Sequence, residues 1–388
     1  MSSLSESIIQ FAVDLFQQIR RSEGGNIFYS PLSIMSALAM TYLGSRGHTA
    51  SEIRKALHLK ELAENAEGAT ADLVGRAGTV HRQFQRLLTE LNKPTNAYEL
   101  SVANRLYGDK EVSFSQDYLE NVKKFYLASV ASVDFVNAAE ESRQMINSWV
   151  ESQTKGKIKD LFRKGILSSS TTLVLVNAIY FKGRWLQEFR KENTSKEKFW
   201  LNKDTSKSVQ MMRETRAFKF ASLEHLHVKV LEIPYTGQEL SMLLLLPDEV
   251  DGLQKLEEGL TAEKLLEWTS SQNMKESQVD LHLPRFKVEE TYDLMAKLKA
   301  LGMVSAFRAD ADFSGMTRRY RLVISSVVHK SFVEVTEEGT EAAAATGVVT
   351  GMTSAPLNNH FHCDHPFLFF IRHNKTNNIL FCGRVSSP

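Results

Sequence analysis

Cysteine is nearly absent from this chain: Cys363 and Cys382 are the only two in 388 residues. That excludes a disulfide scaffold and a cysteine-rich zinc site. The simplest reading is two free thiols in a reducing compartment, with a single bridge as the alternative on count alone. An excess of charge of one sign is lacking too. Lys plus Arg is 47 and Asp plus Glu is 46, for a formal net charge of +1. No basic surplus exists to neutralise nucleic-acid phosphates or to hold an anionic membrane surface, so neither is expected as a partner. Eight prolines and twenty glycines are too few for a fibrous or largely disordered chain. The longest apolar run, about Met242 to Pro247, is far short of the ~20 residues a membrane helix needs. Met1 to Gln18 carries Glu6 and Asp14 and has no charged region leading into an apolar one, so no signal peptide is read. The expected location is cytoplasmic, with release that needs no cleaved signal.

Catalytic motifs are missing as well. The chain has no Gly-x-Ser-x-Gly elbow, no His-Glu-x-x-His and no phosphate-binding Gly-x-x-x-x-Gly-Lys. An enzyme is not expected, nor a cofactor. His360, His362 and His365 lie near Cys363 and Asp364, but their spacing fits no finger-type site. They read as a solvated loop leading into a strand, with no metal. Glu337, Glu338 and Glu341 read as a solvated acidic face rather than an acid/base pair. The helix from Arg82 to Lys93 carries Arg82, Arg86 and Lys93 but also Glu90, too sparse a stripe for a sulfated polymer.

What is present is mainly periodicity. Ile8, Phe11, Ala12, Leu15, Phe16 and Ile19 fall at helical spacing. Ser30-Pro31 predicts a helix start, with Ser as N-cap and Pro in the first turn. Ile34, Leu38 and Leu43 follow on its apolar face, and Phe84, Leu87, Leu88 and Leu91 mark another helix. Residues 60–78 lose periodicity and read as a surface loop. Later the pattern turns to strands. Leu173 to Phe181 reads as a strand buried on both faces. Val279, Leu281 and Leu283 alternate with Asp280 and His282 as a half-buried strand ended at Pro284. Met242 to Leu246, Val327 to Thr336, Phe367 to Ile371 and Ile379 to Cys382 read as further strands, with Arg372 to Asn378 as the turn between the last two. Helices come first and strands later, with no break in composition, which predicts one large α+β domain over residues 1–388.

One stretch fits none of this. After Gly339 come about seventeen residues that are mostly small, aperiodic and uncharged except for Glu341. Ala342 to Ala345 favour helix locally, but the run lacks the large side chains that anchor a helix to a core. Thr340, Ala342, Ala344 and Thr346 form one alternate face of a strand, and all are small. A segment with such a face could slide between two strands of a preformed sheet, with Gly339 as a permissive hinge.

At this point the chain resembles the serpin family over nearly its whole length. The hinge pattern is Glu337, Glu338, Gly339, Thr340, Glu341, Ala342, Ala343, Ala344, Ala345 and Thr346. Asn26 to Ile34, Leu175 to Gly183, Leu283 to Phe286 and His365 to Ile371 match four more family motifs in order. The two ends of the chain resemble the intracellular, ovalbumin-type clade B, in the branch of the squamous cell carcinoma antigens and headpin. The resemblance implies an α+β serpin fold: a helical layer on a large mixed central sheet, two further sheets, and an exposed reactive-centre loop over 339–356. It also implies a metastable fold and suicide inhibition of a target protease.

Counting from the hinge, the resemblance places the reactive bond at Thr353-Ser354, with Met352-Thr353 and Gly351-Met352 as the displaced alternatives. Thr340 is then fourteenth back from the bond, where family inhibitors carry a small residue. Thr350, Gly351 and Met352 become the specificity positions. Thr353 offers no charge to a trypsin-like pocket, whereas Met352 suits the apolar pocket of papain-like cysteine cathepsins such as L, K and S. Chymotrypsin-like serine proteases, or a non-inhibitory serpin-fold role, are the alternatives. The family's polar cluster beneath the parting strands maps to Ser30, Ser33, Asn177 and His329, and its aromatic at the loop entry to Trp185. The expected partner is a target protease, the expected state a monomer.

Overall fold

The computed structural model describes residues 2–59, 73–318, 321–338 and 358–388, and of residues 73–78 the backbone alone. The elements run α1 (Ser3–Ser22), β1 (Ile27–Tyr29), α2 (Pro31–Gly44), α3 (Gly47–Ala56), α4 (Leu73–Leu91), β2 (Tyr98–Asp109), α5 (Gln116–Tyr126), β3 (Ser129–Val133), α6 (Phe135–Gln153) and β4 (Leu173–Gly183). There follow β5 (Ser195–Trp200), β6 (Ser206–Leu223), β7 (Val228–Pro234), β8 (Leu240–Pro247), α7 (Leu253–Glu258), α8 (Ala262–Thr269), β9 (Lys275–Pro284) and β10 (Phe286–Asp293). The last elements are α9 (Met295–Ala300), β11 (Ile324–Val335), β12 (Asn359–His362), β13 (Phe367–His373) and β14 (Asn378–Val385).

Local signals account for the helix starts. Ser2 caps α1, its side chain accepting from the Ser5 N–H, and the predicted apolar stripe from Ile8 to Ile19 is buried. Ser30 caps α2 with Pro31 in the first turn, as its sequence predicts. α2 is buried on nearly every face, because it runs beneath both sheets and meets β4 and β14.

The central sheet has five strands in the order β10-β11-β4-β2-β3. It is mixed: β11 and β4 are parallel, as are β2 and β3, while β10–β11 and β2–β4 are antiparallel. β4 is buried on both faces as expected. Leu173, Leu175, Ile179 and Phe181 face the main core with α1 and α2. Val174, Val176, Ala178 and Tyr180 face a smaller core built on α6 and the segment Ile158–Leu167. The two further sheets are joined by the 18-residue β6, giving the path β1-β14-β13-β8-β7-β6-β9-β12, with β5 also on β6.

The structure corrects several sequence expectations. Helices do not simply precede strands, since β1 and β2 lie within the first third and β3 directly after it. β2 escapes the period-two test because neither of its faces is fully covered: Asn104 and Arg105 point to opposite faces and both are half-buried. Of the expected loop 60–78, residues 60–72 lie outside the described residues, but α4 already begins at Leu73. The turn expected at Arg372 to Asn378 shrinks to four residues, because β13 runs through His373 and β14 starts at Asn378. Arg372 stays in the strand because its charge is met by buried Glu232 at 2.7 Å. Asp280 is likewise buried rather than solvent-facing, held by two bonds from Arg213 at 3.0 and 3.1 Å. The histidine-rich stretch read as a loop contains β12, which pairs in parallel with β9. Both cysteines are free and buried, so the bridge alternative is not realised. Among the described residues, no helix is long and apolar enough to cross a membrane.

Candidate functional site

β11 ends at Val335, four residues before the unusual segment begins at Gly339. Its parallel neighbour β4 pairs with it from Ile324↔Leu173 to Val333↔Phe181. Over that span no other strand lies between them. Expectations at Gly339, Thr340, Glu341, Ala342, Ala343, Ala344, Ala345, Thr346, Thr350, Gly351, Met352, Thr353 and Ser354 lie outside the described residues.

Beneath this strand pair the predicted polar residues come together. The β11–β4 register places His329 opposite Asn177. His329 Nδ1 is 2.6 Å from Asn177 Oδ1, and the Ser30 N–H donates to His329 Nε2 at 3.1 Å. Since Nε2 accepts, Nδ1 carries the proton and donates to Asn177. Asn177 Nδ2 donates to Ser33 Oγ at 2.7 Å. Ser30 Oγ accepts from the Ser33 N–H at 3.1 Å and donates to the Leu380 carbonyl at 2.7 Å. One network therefore ties β11, β4, the first turn of α2 and β14. Every member is buried, so each lost bond would leave a polar atom without water. Burial alone pushes the His329 imidazole down to about 3, leaving it neutral. Two residues along β11, Ser331 donates separately to the Phe28 carbonyl at 2.5 Å.

A second constellation sits where β11 hands over to the segment. Trp185 is fully buried and stacks on Tyr235, centroids 4.6 Å apart and planes 6° apart. Its indole N–H donates to the Thr336 carbonyl at 2.8 Å. The Trp185 and Phe189 backbone N–H groups donate to the Glu338 and Glu337 carbonyls at 3.1 and 3.0 Å. Glu337 does not lie on a solvated face, whereas Glu341 lies outside the described residues. Glu337 is 2% exposed, bonded to both Arg285 and Thr194 Oγ1. Burial would raise its pKa, but the bonds from Arg285 and Thr194 outweigh that and hold it below the usual carboxylate range. Glu338 is exposed, as expected, and pairs with Lys182 at 2.9 Å. Its pKa is also lowered, chiefly by that Lys182 bond. Gly183 lies beside this point because the Tyr235 ring occupies the space a Cβ would need.

The structure brings Ser30, Ser33, Asn177 and His329 together and sets Trp185 at the end of β11, whereas the sequence reading missed their partners. Arg285 stands between Pro284 and Phe286, where β9 passes into β10, and a lone charge at such a junction was a readable signal. Tyr235, Thr194 and Lys182 left none, since each reaches the site only through tertiary packing.

Comparisons with known proteins fit this geometry. The family model described as serpin (serine protease inhibitor) matches residues 6–388. Human serpin B3 is 63% identical over 391 aligned residues, and human serpin B13 is 53% identical, each with both chains covered completely. The horse leukocyte elastase inhibitor is 48% identical, again over the full length of both chains. Among solved structures, uncleaved ovalbumin superposes with a TM-score of 0.90 at 37% identity, covering both chains completely. The family's description is that of protease inhibitors. The chain belongs to the serpin family, in its ovalbumin-type clade B.

Proposed function

We propose that this protein is a single-use protease inhibitor whose 339–356 segment is the reactive-centre loop. A protease nucleophile attacks the Thr353 carbonyl, the Thr353–Ser354 bond breaks, and Ser354 leaves as a protonated amine. Thr353 is then held as an acyl-enzyme. The freed segment enters between β11 and β4 as a new central strand and carries the protease with it.

The observation that carries this reading is the β11–β4 pair itself. Two parallel neighbours are joined directly, one of them runs into the segment, and a network that spans their junction can re-form. Length supports it as well. Residues 340–353 number fourteen against eleven in β4 and twelve in β11. At about 3.3 Å per residue the segment reaches the far end of the sheet. The alternate small face of Thr340, Ala342, Ala344 and Thr346 would pass over the central core with little to displace. A cleaved ovalbumin mutant of the same fold, matching with a TM-score of 0.87, is loop-inserted.

For the target we favour papain-like cysteine cathepsins (L, K, S), because Met352 fits their apolar pocket and Thr353 carries no charge. Chymotrypsin-like serine proteases are the second reading, favoured if the bond is Met352-Thr353. The protein would act as one domain over residues 1–388, as a cytoplasmic monomer without cofactor. Titration of cathepsin L and of chymotrypsin with the protein, followed by intact mass, tests the assignment. Loss of cathepsin L activity near one equivalent with cleavage after Thr353 is expected. Stoichiometric loss of chymotrypsin activity alone would move the target to serine proteases. Cleavage with both enzymes still active would leave a non-inhibitory serpin.

A further inference from the structure

Away from the strand pair, three side chains from three strands converge. Glu197 on β5, His282 on β9 and His362 on β12 place one ligand atom each within 4.8 Å of one another. His362 sits opposite His282 in the β12–β9 register. Their rings lie 4.2 Å apart between centroids. β5 is drawn to the same place because the Trp200 N–H donates to the Asp364 carbonyl at 2.7 Å. His362 Nε2 is 3.0 Å from Glu197 Oε2, and His282 Nδ1 is 3.4 Å from Glu197 Oε1. Ligands of a tetrahedral zinc ion, each about 2.0–2.1 Å from the metal, stand about 3.3 Å apart, close to these two imidazole–carboxylate distances.

Two details separate this cluster from an ordinary surface ion pair. First, His282 Nδ1 is buried and has no hydrogen-bond partner. Its other nitrogen, Nε2, lies 3.4 Å from Asp280 Oδ2. With Nε2 donating to that carboxylate, Nδ1 presents a bare lone pair to the Glu197 carboxylate, an arrangement that a cation between them would relieve. Second, Asp280 is itself fixed by Arg213 and by Thr215 Oγ1 at 3.0 Å. A carboxylate orienting the far nitrogen of a histidine is the outer support that metal-bound imidazoles use.

We propose that Glu197, His282 and His362 form a zinc-binding site. Zn2+ would take Glu197, His282 Nδ1 and His362 Nε2 as three ligands and keep its fourth position for water. This revises the sequence expectation of no metal in this stretch. Of the three neighbouring histidines only His362 takes part, and its partners come from distant strands. His365 is turned toward the Pro247 carbonyl, and His360 faces Asp280 at 3.6 Å. The bound ion would clamp the four-residue β12, which follows the 339–356 segment, to β9 and β5.

The test is titration of the full chain with ZnCl2 at pH 7.5 by calorimetry. One ion per chain is expected in the wild type. His362→Ala, an exposed position, should weaken binding by at least about tenfold, and Glu197→Gln should do the same. His48→Ala, an exposed histidine on α3, should leave the affinity unchanged. The proposal is overturned if the wild type binds no zinc, if His362→Ala binds as tightly as wild type, or if His48→Ala weakens binding equally. None of these readouts depends on protease inhibition.

Discussion

Acid should loosen the junction of β11 and β4 through His329. The imidazole is fully buried and lies between the Ser30 N–H and Asn177 Oδ1, with desolvation alone holding its pKa near 3 against an ordinary 6.5. The sign follows from proton counts. Between these two values the unfolded chain binds a proton that the folded chain refuses, so stability falls as pH falls. Each unit is worth about 1.4 kcal/mol when fully coupled, or roughly 3 kcal/mol between pH 6.5 and 4. That is a large part of the ~5–15 kcal/mol typical of a folded domain. Buried His81, pushed down to about 4 by desolvation, adds to the same slope. A difference measurement therefore isolates His329. His329→Gln keeps a donor and an acceptor in the cavity but cannot be protonated. Urea unfolding midpoints across pH 4–7 should show the variant losing about 1 kcal/mol per unit of slope relative to wild type. Parallel curves for the two proteins would refute the argument that His329 is a neutral, desolvated element of the junction.

Three further outcomes are expected. Arg285→Ala leaves Glu337 buried without its cation and should cost about 3 kcal/mol at pH 7. Because the Glu337 pKa is lowered, this contribution is present above 4.5 and disappears as pH falls through the lowered value. The gap from wild type in urea unfolding should therefore narrow as pH falls below 4.5. Gly183→Ala drives a Cβ into the Tyr235 ring and should cost about 1–3 kcal/mol in the same assay; an unchanged midpoint would show that the ring yields freely. Thr340→Arg should abolish inhibition while the segment is still cleaved, because insertion would bury an unpaired charge. Unchanged inhibition by that variant contradicts insertion.

Much of this architecture was legible in advance, and the limits have physical causes. α1 and α2 announced themselves because one apolar stripe and one Ser-Pro cap are local signals. β4 was legible because both of its faces are covered and its run is unbroken. β2 was not, since Glu99, Asn104 and Arg105 interrupt the apolar positions of both its faces. Glu337 was misread for a related reason. In the chain Glu337 looks like any surface acid, and only the fold brings Arg285 and Thr194 to it. The proposed zinc ligands show the same limit more sharply: sequence spacing gave no reason for a metal at His360, His362 and His365, and only strand register brings His362 to His282 while β5 brings Glu197.

The central claim is that the segment after β11 becomes a strand between β11 and β4 once it is cut. The most direct measurement is the melting temperature of the protein cleaved within residues 339–357, compared with the intact chain in the same buffer. An added central strand should raise it well above that of the intact protein, with new protection of β4 and β11 amides from exchange. A cleaved protein that melts at or below the intact one, with unchanged exchange, would contradict insertion.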